Sequence, residues 1–536
     1  MDPKAPRQIT YKLPARKRLV SGAEQFAKAV CVTYGPQGRL AILDRPHGLI
    51  STKDGVTVAR EIDLPDPIEN MACQVLKQAC IKVNNEAGDG TTTAACLGAA
   101  LLRESMVLVE GGFNPVLLAR GMMEASREAI ECVRSISRRT ETKADLERVA
   151  LIASNGDADL ASKLAEAVMA VGKNGTVSIE DGKGVETKLE FKEGMEIDRG
   201  VCSTTFLGTQ VERELPGPLV AVIAATLHSL DDVRDLMETA STFGGRELLL
   251  FADEVIGEAL ATMTLNDQKG IVRCVAVRAP GFHDKKVEHL GDIAALAGAT
   301  LIDPRAGGQW TTWDPEWFGM LDKALVREKQ TILWTVDEAS DLIRERIEYI
   351  TNQMPLCTSD YDRDRLNERR AALEGGLCVM QIGAYTEMEL KEKRARVEDA
   401  LGSIRAALTD GIVPGGGIAY LEASEGVRAN IPEAATPEQG AGWRIVAEAL
   451  RAPLRLLVGN AGKDGAYMVE HLLALRQTDD TGWLGWDALT DKVRNLGEGD
   501  LVVDPTKVVC SVIEAAVSAA ATLITSEVTI TGGAHG

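Results

Sequence analysis

The sequence has 536 residues, of which 45% are hydrophobic, and its 59 Lys and Arg against 79 Asp and Glu give a formal net charge of −20. At about 150 residues per domain, this length predicts three or four domains with enough apolar residues to form cores. The charge disfavours nucleic acids and anionic membranes as partners, because both would be repelled at long range. The longest apolar runs, such as 219–227 and 515–524, reach about half of the roughly 20 residues that a membrane span needs.

The first 19 residues are basic but contain no apolar segment like that of a secretory signal. We therefore expect a cytoplasmic location. The ten cysteines include no C-x-x-C pair, and most lie among Ala, Val and Leu. A thiol in such surroundings behaves as a small buried hydrophobe, so no metal or redox site is predicted on cysteine.

The first 135 residues are predicted to be mainly α-helical. Apolar residues recur at helical spacing over 19–30, 68–79 and 92–108, and a strand-like segment at 40–43 separates the first two.

Between about residues 176 and 300 the pattern changes to short apolar runs that alternate with amphipathic segments. Strands are expected at 219–225, 248–252 and 271–277, and helices at 232–241 and 255–265. This alternation predicts an α/β domain with a largely buried sheet.

The remaining chain returns to helices. A charged helical stretch at 340–374, with a break at Ser359-Asp360, is followed by a strand at 377–382 and a helix at 387–410. The last 120 residues are helical patterns rich in Ala and Leu. Because the two ends share a helical pattern that the centre lacks, we expect one domain built from both ends, with the centre inserted into it.

The segment Gly88-Asp89-Gly90-Thr91-Thr92-Thr93 lies where one predicted helix ends and the next begins. Its glycines allow close approach of the backbone, amides at a helix N-terminus favour an anion, and hydroxyls donate to phosphate oxygens. Asp89 adds a carboxylate that can hold Mg²⁺ against phosphate. An ordinary pair of helix caps fits the same spacing equally well.

Three other loops, at 33–38, 52–55 and 415–417, combine glycine with polar or rigid residues, but each one alone is a weak signal. In the helix predicted at 387–410, Asp399 points about 200° away from Val397 and therefore off the apolar face. On the residues alone, a solvated charge is expected there.

The segments TYGPQGR, STKDGVTVAREI, AGDGTTTA, EGMEIDRG, APGF, SDYDR, LKEKRARVEDAL, IVPGGGIA and VVDPTKVV occur in the order and nearly the spacing found in group I chaperonins of the GroEL type, which the whole chain resembles. The resemblance implies an ATP-dependent molecular chaperone that binds non-native polypeptides at the rim of a ring and folds them through ATP-driven domain movement. It implies ATP and Mg²⁺, with K⁺ as a further candidate. The implied partners are further copies of the chain in a sevenfold homo-oligomeric ring, unfolded polypeptide clients and a co-chaperonin lid, with neither nucleic acid nor membrane.

The fold implied by the resemblance is a multi-domain α and α/β subunit with three domains. A mainly α equatorial ATP-binding domain would comprise 1–135 and 410–536. A small α/β intermediate hinge domain would comprise 136–192 and 377–409, and an α/β apical substrate-binding domain 193–376.

The resemblance also implies a set of site residues. Those expected to contact nucleotide are Thr33, Gly35, Pro36, Lys53, Asp89, Gly90, Thr91, Thr92, Thr93, Gly416, Asp487 and Asp504. Asp89 is expected to hold Mg²⁺. Asp399 would orient the attacking water with assistance from Asp54, which is the task that hydrolysis gives to a carboxylate. Asp487 matches a base-contacting position that is normally Asn.

An apical client groove is implied at Val201, Phe206, Met237, Leu260 and Leu265. Larger or more hydrophobic residues usually stand at the positions of Thr205, Ala240 and Thr264, which predicts a weaker or differently selective groove. These departures, with the Trp-rich segment 309–317, favour a divergent member that is specialised or virus-encoded.

Two alternatives stay open at this point. One is a ring-forming ATPase scaffold with weakened client binding, favoured by the departures in the groove. The other is a small-molecule ATP-dependent kinase, although the sequence shows no second cluster of catalytic groups for it.

Overall fold

The computed structural model describes residues 7–45, 48–140, 142–154, 156–172, 175–182, 184–208, 210–281, 285–336, 340–357, 359–374, 376–476, 483–497 and 502–532. The chain forms two compact units. Unit 1 comprises residues 1–165 and 385–536, and unit 2 comprises residues 166–384. Both ends of the chain thus belong to one unit, as their shared helical pattern predicts, while the division into three domains stays a prediction.

The helices of the described residues are long at both ends of the chain. They are α1 (Lys12–Cys31), α2 (Gly55–Glu61), α3 (Pro67–Ala87), α4 (Thr91–Glu110), α5 (Pro115–Ser135), α6 (Lys143–Ala153), α7 (Ala158–Val171), α8 (Leu230–Ser241), α9 (Gly257–Lys269), α10 (Lys285–Ala297), α11 (Ser340–Gln353), α12 (Asp360–Glu374), α13 (Glu387–Asp410), α14 (Ile418–Ala429), α15 (Pro437–Ala449), α16 (Ala452–Asn460), α17 (Gly465–Arg476) and α18 (Thr506–Thr525).

The strands are short and concentrate in the centre of the chain. They are β1 (Arg7–Tyr11), β2 (Ala41–Arg45), β3 (Gly48–Thr52), β4 (Thr176–Asp181), β5 (Lys188–Ile197), β6 (Glu212–Pro216), β7 (Leu219–Leu227), β8 (Leu248–Val255), β9 (Cys274–Arg278), β10 (Leu301–Ile302), β11 (Gly319–Met320), β12 (Lys323–Arg327), β13 (Thr331–Trp334), β14 (Gly376–Ile382), β15 (Ile412–Pro414), β16 (Leu484–Asp487), β17 (Lys492–Asn495), β18 (Val503–Pro505) and β19 (Val528–Gly532).

Unit 1 is a helical bundle around α4 and α18, which pack against each other and against α1, α3 and α5. Local capping explains where two of its helices start, since Asp66 accepts the amides of the first turn of α3 and Asn114 does the same for α5. β1 pairs antiparallel with β19, so the two ends of the chain are hydrogen-bonded to each other. This pairing adds to the packing of α18 against α3, α4 and α5, which joins both ends of the chain in one core.

Two core helices of unit 1 correct an expectation from the sequence. By length and composition, α4 and α18 are each long and apolar enough to cross a membrane, and 67% of the most apolar window of each is buried inside the protein. That burial is typical of core helices. The uninterrupted apolar runs underestimated them, because one or two charged residues, such as Arg103 and Glu104 in α4 and Glu514 in α18, interrupt otherwise apolar helices.

Unit 2 contains two sheets, and the sequence predicted only the first. In that sheet β10, β7, β8 and β9 are parallel, β11 pairs antiparallel with β7, and α8, α9 and α10 pack against its strands. The second has the order β4-β14-β5-β13-β12-β6 and is mixed. Its strands lack long apolar runs, which is why only β14 was expected.

The Trp-rich segment is part of the core of unit 2. Trp313 is buried, its ring meets those of Trp317 and Phe318 at 5.4 and 5.2 Å, and its backbone N–H donates to the carboxylate of Asp235 on α8. Phe243 contacts Phe318 edge to face at 5.5 Å. The segment thus fixes a loop against the C-terminal half of α8.

Candidate functional site

The N-terminus of α4 is the centre of the candidate site. Gly88 ends α3 and Gly90 precedes α4, both with positive φ (77° and 96°), a conformation that glycine adopts at little cost. Asp89, between them, is exposed, and its Oδ1 accepts a hydrogen bond of 2.5 Å from the Gly90 amide. No side chain of the described residues caps α4, so its first-turn amides are available to a bound anion.

The hydroxyls of this first turn face neighbouring loops or have no partner. Thr91 Oγ1 is buried without a hydrogen-bond partner in the described part of the chain. Thr92 Oγ1 lies 3.5 Å from Thr33 Oγ1, and the Thr93 hydroxyl interacts with Tyr34. An unsatisfied buried donor is costly, so the turn fits a ligand with acceptor oxygens.

The loop after α1 is held next to this turn by polar contacts. Asn460 Nδ2 donates to the carbonyls of Cys31 and Tyr34 at 3.0 Å, and Lys53 Nζ donates to the carbonyl of Pro36 at 3.2 Å. Gly35 has a φ of 77°, and an added Cβ would lie 2.4 Å from a Leu457 methyl. The structure therefore brings Thr33, Gly35, Pro36 and Lys53 to the same place as α4.

Asp54 forms the N-cap of α2. Its Oδ1 accepts from the Val56 amide and its Oδ2 from the Thr57 amide, both at 2.9 Å. The next residue, Gly55, is so close to α4 that an added Cβ would lie 2.2 Å from Thr92 Oγ1. The Asp54 loop is thus pressed against the first turn of α4.

Asp399 reaches the same site from α13. This helix meets the loop between α3 and α4 directly, since a Cβ on Gly402 would lie 2.7 Å from Gly88 Cα. Loss of water contact, followed by the negative charges of Asp54 and Asp89, raises the pKa of Asp399 to about 8. Asp399 therefore does not occupy the solvated helix face that the residues alone suggest. It faces two other carboxylates.

Asp504 completes the convergence from the C-terminal part of the chain. In the antiparallel pair β15-β18 it is opposite Val413, two residues before the triple glycine that contains Gly416. A Cβ added to Gly415 would lie 3.2 Å from Asp504 Oδ1. Burial, and then the charge of Asp89, raise the pKa of Asp504 to about 7. Asp89 and Asp504 are thus neighbours in one site.

Asp487 differs from the expectation of a base contact. Its buried carboxylate accepts from the Leu489 amide at 2.9 Å and from Arg494 Nε at 2.9 Å, and so caps the turn between β16 and β17. A carboxylate engaged in a turn and an ion pair is not presented to a ligand. The adjacent Ala488 carbonyl is closer to the site loops, because Gln37 Nε2 donates to it at 3.5 Å.

The residues expected to line the client groove are mostly internal. Val201, Phe206 and Met237 are buried in the core of unit 2. Val201 pairs with Val277 of β9, Phe206 belongs to a short turn that packs against α9 and β9, and Met237 is on the apolar face of α8. Leu260 is partly buried, and only Leu265 is half exposed. In this conformation, the first three are therefore core side chains and not part of an open apolar surface.

Tyr34 and Asn460 contact the site loops but were not predicted, and neither was Arg396, which is one turn before Asp399 on α13. Tyr34 is linked to Thr93, Asp504 and Asp89, and burial and the Asp504 charge raise its pKa. Its position inside TYGPQGR was the available signal. Asn460 and Arg396 lie in ordinary helical patterns and carried no local signal of their own.

The helical unit with a phosphate-type turn, together with the inserted α/β unit, defines a chaperonin subunit. The sequence matches the TCP-1/cpn60 chaperonin family over residues 26–533. The chain therefore belongs to this family, and it is an ATP-dependent chaperone.

A solved structure shows the same fold. The chaperonin gp146 from the bacteriophage EL 2 (Pseudomonas aeruginosa), crystallised in the presence of ATP-BeFx, is similar with a TM-score of 0.72 and 22% identity. The similarity covers 98% of this chain and 99% of that one.

Proposed function

We propose that this protein hydrolyses ATP, as a homo-oligomeric ring in the cytoplasm, to promote the folding of non-native polypeptides. The observation that carries the proposal is the convergence of Asp54, Asp89 and Asp399 on the uncapped first turn of α4. The turn offers hydrogen-bond donors to a phosphate group, but the three neighbouring carboxylates repel one another and the phosphate. Bound cations would remove this repulsion and so complete a hydrolytic site.

The chain's own groups divide the work. The amides and hydroxyls of Thr91, Thr92 and Thr93 bind phosphate oxygens. Asp399, once ionised, accepts a proton from the attacking water. At its pKa of about 8 only roughly a tenth of the carboxyl is ionised at pH 7 in the free protein, and cations that bind with ATP would favour the ionised form. Asp54 holds its loop through the α2 cap and adds negative charge beside Asp399.

Asp89 is the residue that fits Mg²⁺. It is exposed, and no group of three His, Cys, Asp or Glu among the described residues is arranged to hold a metal alone. This suits Mg²⁺, which takes one or two carboxylates and fills its other positions with phosphate oxygens and water. When bound, the ion would neutralise phosphate charge. A K⁺ requirement belongs to the same proposal and is tested by replacing K⁺ with Na⁺.

The assembly we propose is a sevenfold ring that binds unfolded clients and is closed by a co-chaperonin lid. The burial of Val201, Phe206 and Met237 favours a second candidate, a ring-forming ATPase scaffold with weak client binding. Prevention of aggregation of a denatured protein, and recovery of its activity on adding ATP, distinguishes the two. The similarity to a phage chaperonin supports a virus-encoded source, to which the same cytoplasmic setting applies.

The hydrolytic site is tested by ATP turnover without any small-molecule acceptor. We expect phosphate release by the wild type and a loss of about 100-fold or more in Asp399→Asn, because the amide cannot accept the proton. Binding of ATP should persist in this variant. Glu398→Gln is the matched control, since Glu398 is exposed and paired with Arg394, and it should keep wild-type turnover. Phosphate release that requires an acceptor, or that survives Asp399→Asn, would refute the proposal.

A further inference from the structure

Arg396 is on the same side of α13 as Asp399, one turn earlier. Side chains three residues apart on a helix are neighbours. Asp399 faces Asp54 and Asp89, and Gly402, a further three residues on, touches the loop of Gly88. Positions 396, 399 and 402 therefore share the face of α13 that is turned toward the site.

The guanidinium of Arg396 is only partly satisfied. Its Nη2 pairs with Glu392, while its Nε is buried and has no hydrogen-bond partner within the described residues. Both side chains of the pair are about one-third or more exposed (33% and 43%), and such i,i+4 pairs contribute little. Breaking the pair with Glu392, so that Arg396 can bind a more highly charged anion, therefore costs little free energy.

A second cation lies close to Arg396. Loss of water contact, and then the positive charge of Arg396, lower the pKa of Lys53. Lys53 in turn donates to the carbonyl of Pro36, in the loop beside α4. The two positive side chains repel each other, and an anion bound by both would relieve this repulsion.

The rest of the site shows which anion this is. The first turn of α4 offers neutral donors, and Asp54, Asp89 and Asp399 add only negative charge. The terminal phosphate of ATP carries the charge that develops during hydrolysis, and an arginine fork suits its oxygens in geometry and charge. ADP lacks this group.

We propose that Arg396 binds the γ-phosphate of ATP together with Lys53 and so makes the site distinguish ATP from ADP. This inference rests on the proposed ATPase function. Because Arg396 and Asp399 share one rigid helix, the arginine contact also places the Asp399 carboxylate beside the phosphate that water attacks.

The experiment measures the affinities for ATP and ADP with Mg²⁺ by calorimetry. The full-length Asp399→Asn protein is the parent, so that ATP is not consumed. Adding Arg396→Ala should weaken ATP binding about tenfold or more while ADP binding changes little, because only ATP offers the lost charged hydrogen bonds. Arg396→Lys should recover part of the ATP affinity, because it restores the charge but not the fork.

Arg394→Ala is the matched control. Arg394 is on the same helix and forms an equivalent i,i+4 pair with Glu398, but away from the site, so its removal should leave the ATP to ADP ratio unchanged. An unchanged ratio in Arg396→Ala, or equal loss of both nucleotides, overturns the inference while leaving the ATPase intact. A parent that binds neither nucleotide refutes the proposed function and this inference together.

Discussion

The residues expected from the family resemblance lie where they are expected in the nucleotide site of unit 1, but mostly not in the α8–α9 region of unit 2. In unit 1, loops far apart in the sequence meet at the start of α4, and Asp54, Asp89, Asp399 and Asp504 interact there. In unit 2, three of the five residues expected to form an open groove are buried in the core.

The difference follows from what each function asks of the residues. A site that hydrolyses a nucleotide combines glycines and free helix amides for phosphate with carboxylates for the metal ion and water, and few other tasks use all three together. A groove for unfolded chains requires only apolar character, which a core requires as well. A sequence motif therefore constrains the first kind of site more tightly than the second.

The largest expected effect tests the burial in unit 2. Phe206 is 2% exposed and Leu265 is 50% exposed. Phe206→Ser should lower the free energy of unfolding by about 3–5 kcal/mol, because it leaves a cavity and buries a hydroxyl. Leu265→Ser should change it by less than about 0.5 kcal/mol. Urea denaturation measures both.

The same pair of variants tests the groove through capture of a denatured client protein. Leu265→Ser should reduce capture although its stability is unchanged. If Phe206→Ser instead left stability unaffected and reduced capture, the side chain would be on the surface in solution, and the contrast between the two units would disappear.

The next effect concerns the contact between α13 and the nucleotide loop. Gly402→Ala would place a Cβ 2.7 Å from Gly88 Cα, where only backbone can move. We expect a loss of about 1–3 kcal/mol in stability, and a lower ATP turnover because Asp399 is displaced from α4. Turnover and thermal unfolding are measured on the same preparations.

Gly440→Ala is the control for this variant. Gly440 is in α15 and has nothing within 4 Å of an added Cβ. Alanine should stabilise this helix by about 0.5–1 kcal/mol and leave turnover unchanged. Equal effects of the two substitutions would show that the close approach of α13 to Gly88 is unimportant.

Sequence reasoning predicted the elements with strong periodicity best. The helix expected at 387–410 is α13 with the same bounds, and the one expected to end near Gly88 ends there because the positive φ of that glycine stops it. The second sheet of unit 2 was missed, since strands such as β5 and β6 are rich in charged residues and lack apolar runs.

The candidate site was predictable to the level of its loops. Side-chain roles depended on contacts that only the fold creates. Asp487 turned inward to cap its own turn because Arg494 is paired with it, and Asn460 reached the Tyr34 loop from a helix more than 400 positions away in sequence. Neither contact has a local sequence signature.

The smallest expected effect is on the pH dependence of stability, and it comes from the different surroundings of buried carboxyl groups in the two units. In unit 2, Asp292 is neutralised by Arg346 and Arg369, each with an Nε–O distance of 2.7 Å. In unit 1, Asp399 faces acidic neighbours, and its pKa is raised to about 8. Folding therefore favours the protonated carboxyl, and the stability that this contributes is fully present below the unfolded pKa of about 4 and is lost as the pH rises through 8.

Without nucleotide, the Asp399→Asn protein should consequently be as stable as the wild type near pH 4 and more stable at pH 8.5. We expect a difference on the order of 1 kcal/mol, because the partly exposed carboxylate is screened by water. Thermal unfolding across this pH range measures it. Glu398→Gln removes an exposed neighbouring charge that contributes less to the raised pKa of Asp399 than burial, Asp54 and Asp89 do, so it should reproduce little of the pH dependence. If both variants gave the same slope, the carboxylates of unit 1 would be solvated separately, and Asp399 would not face Asp54 and Asp89.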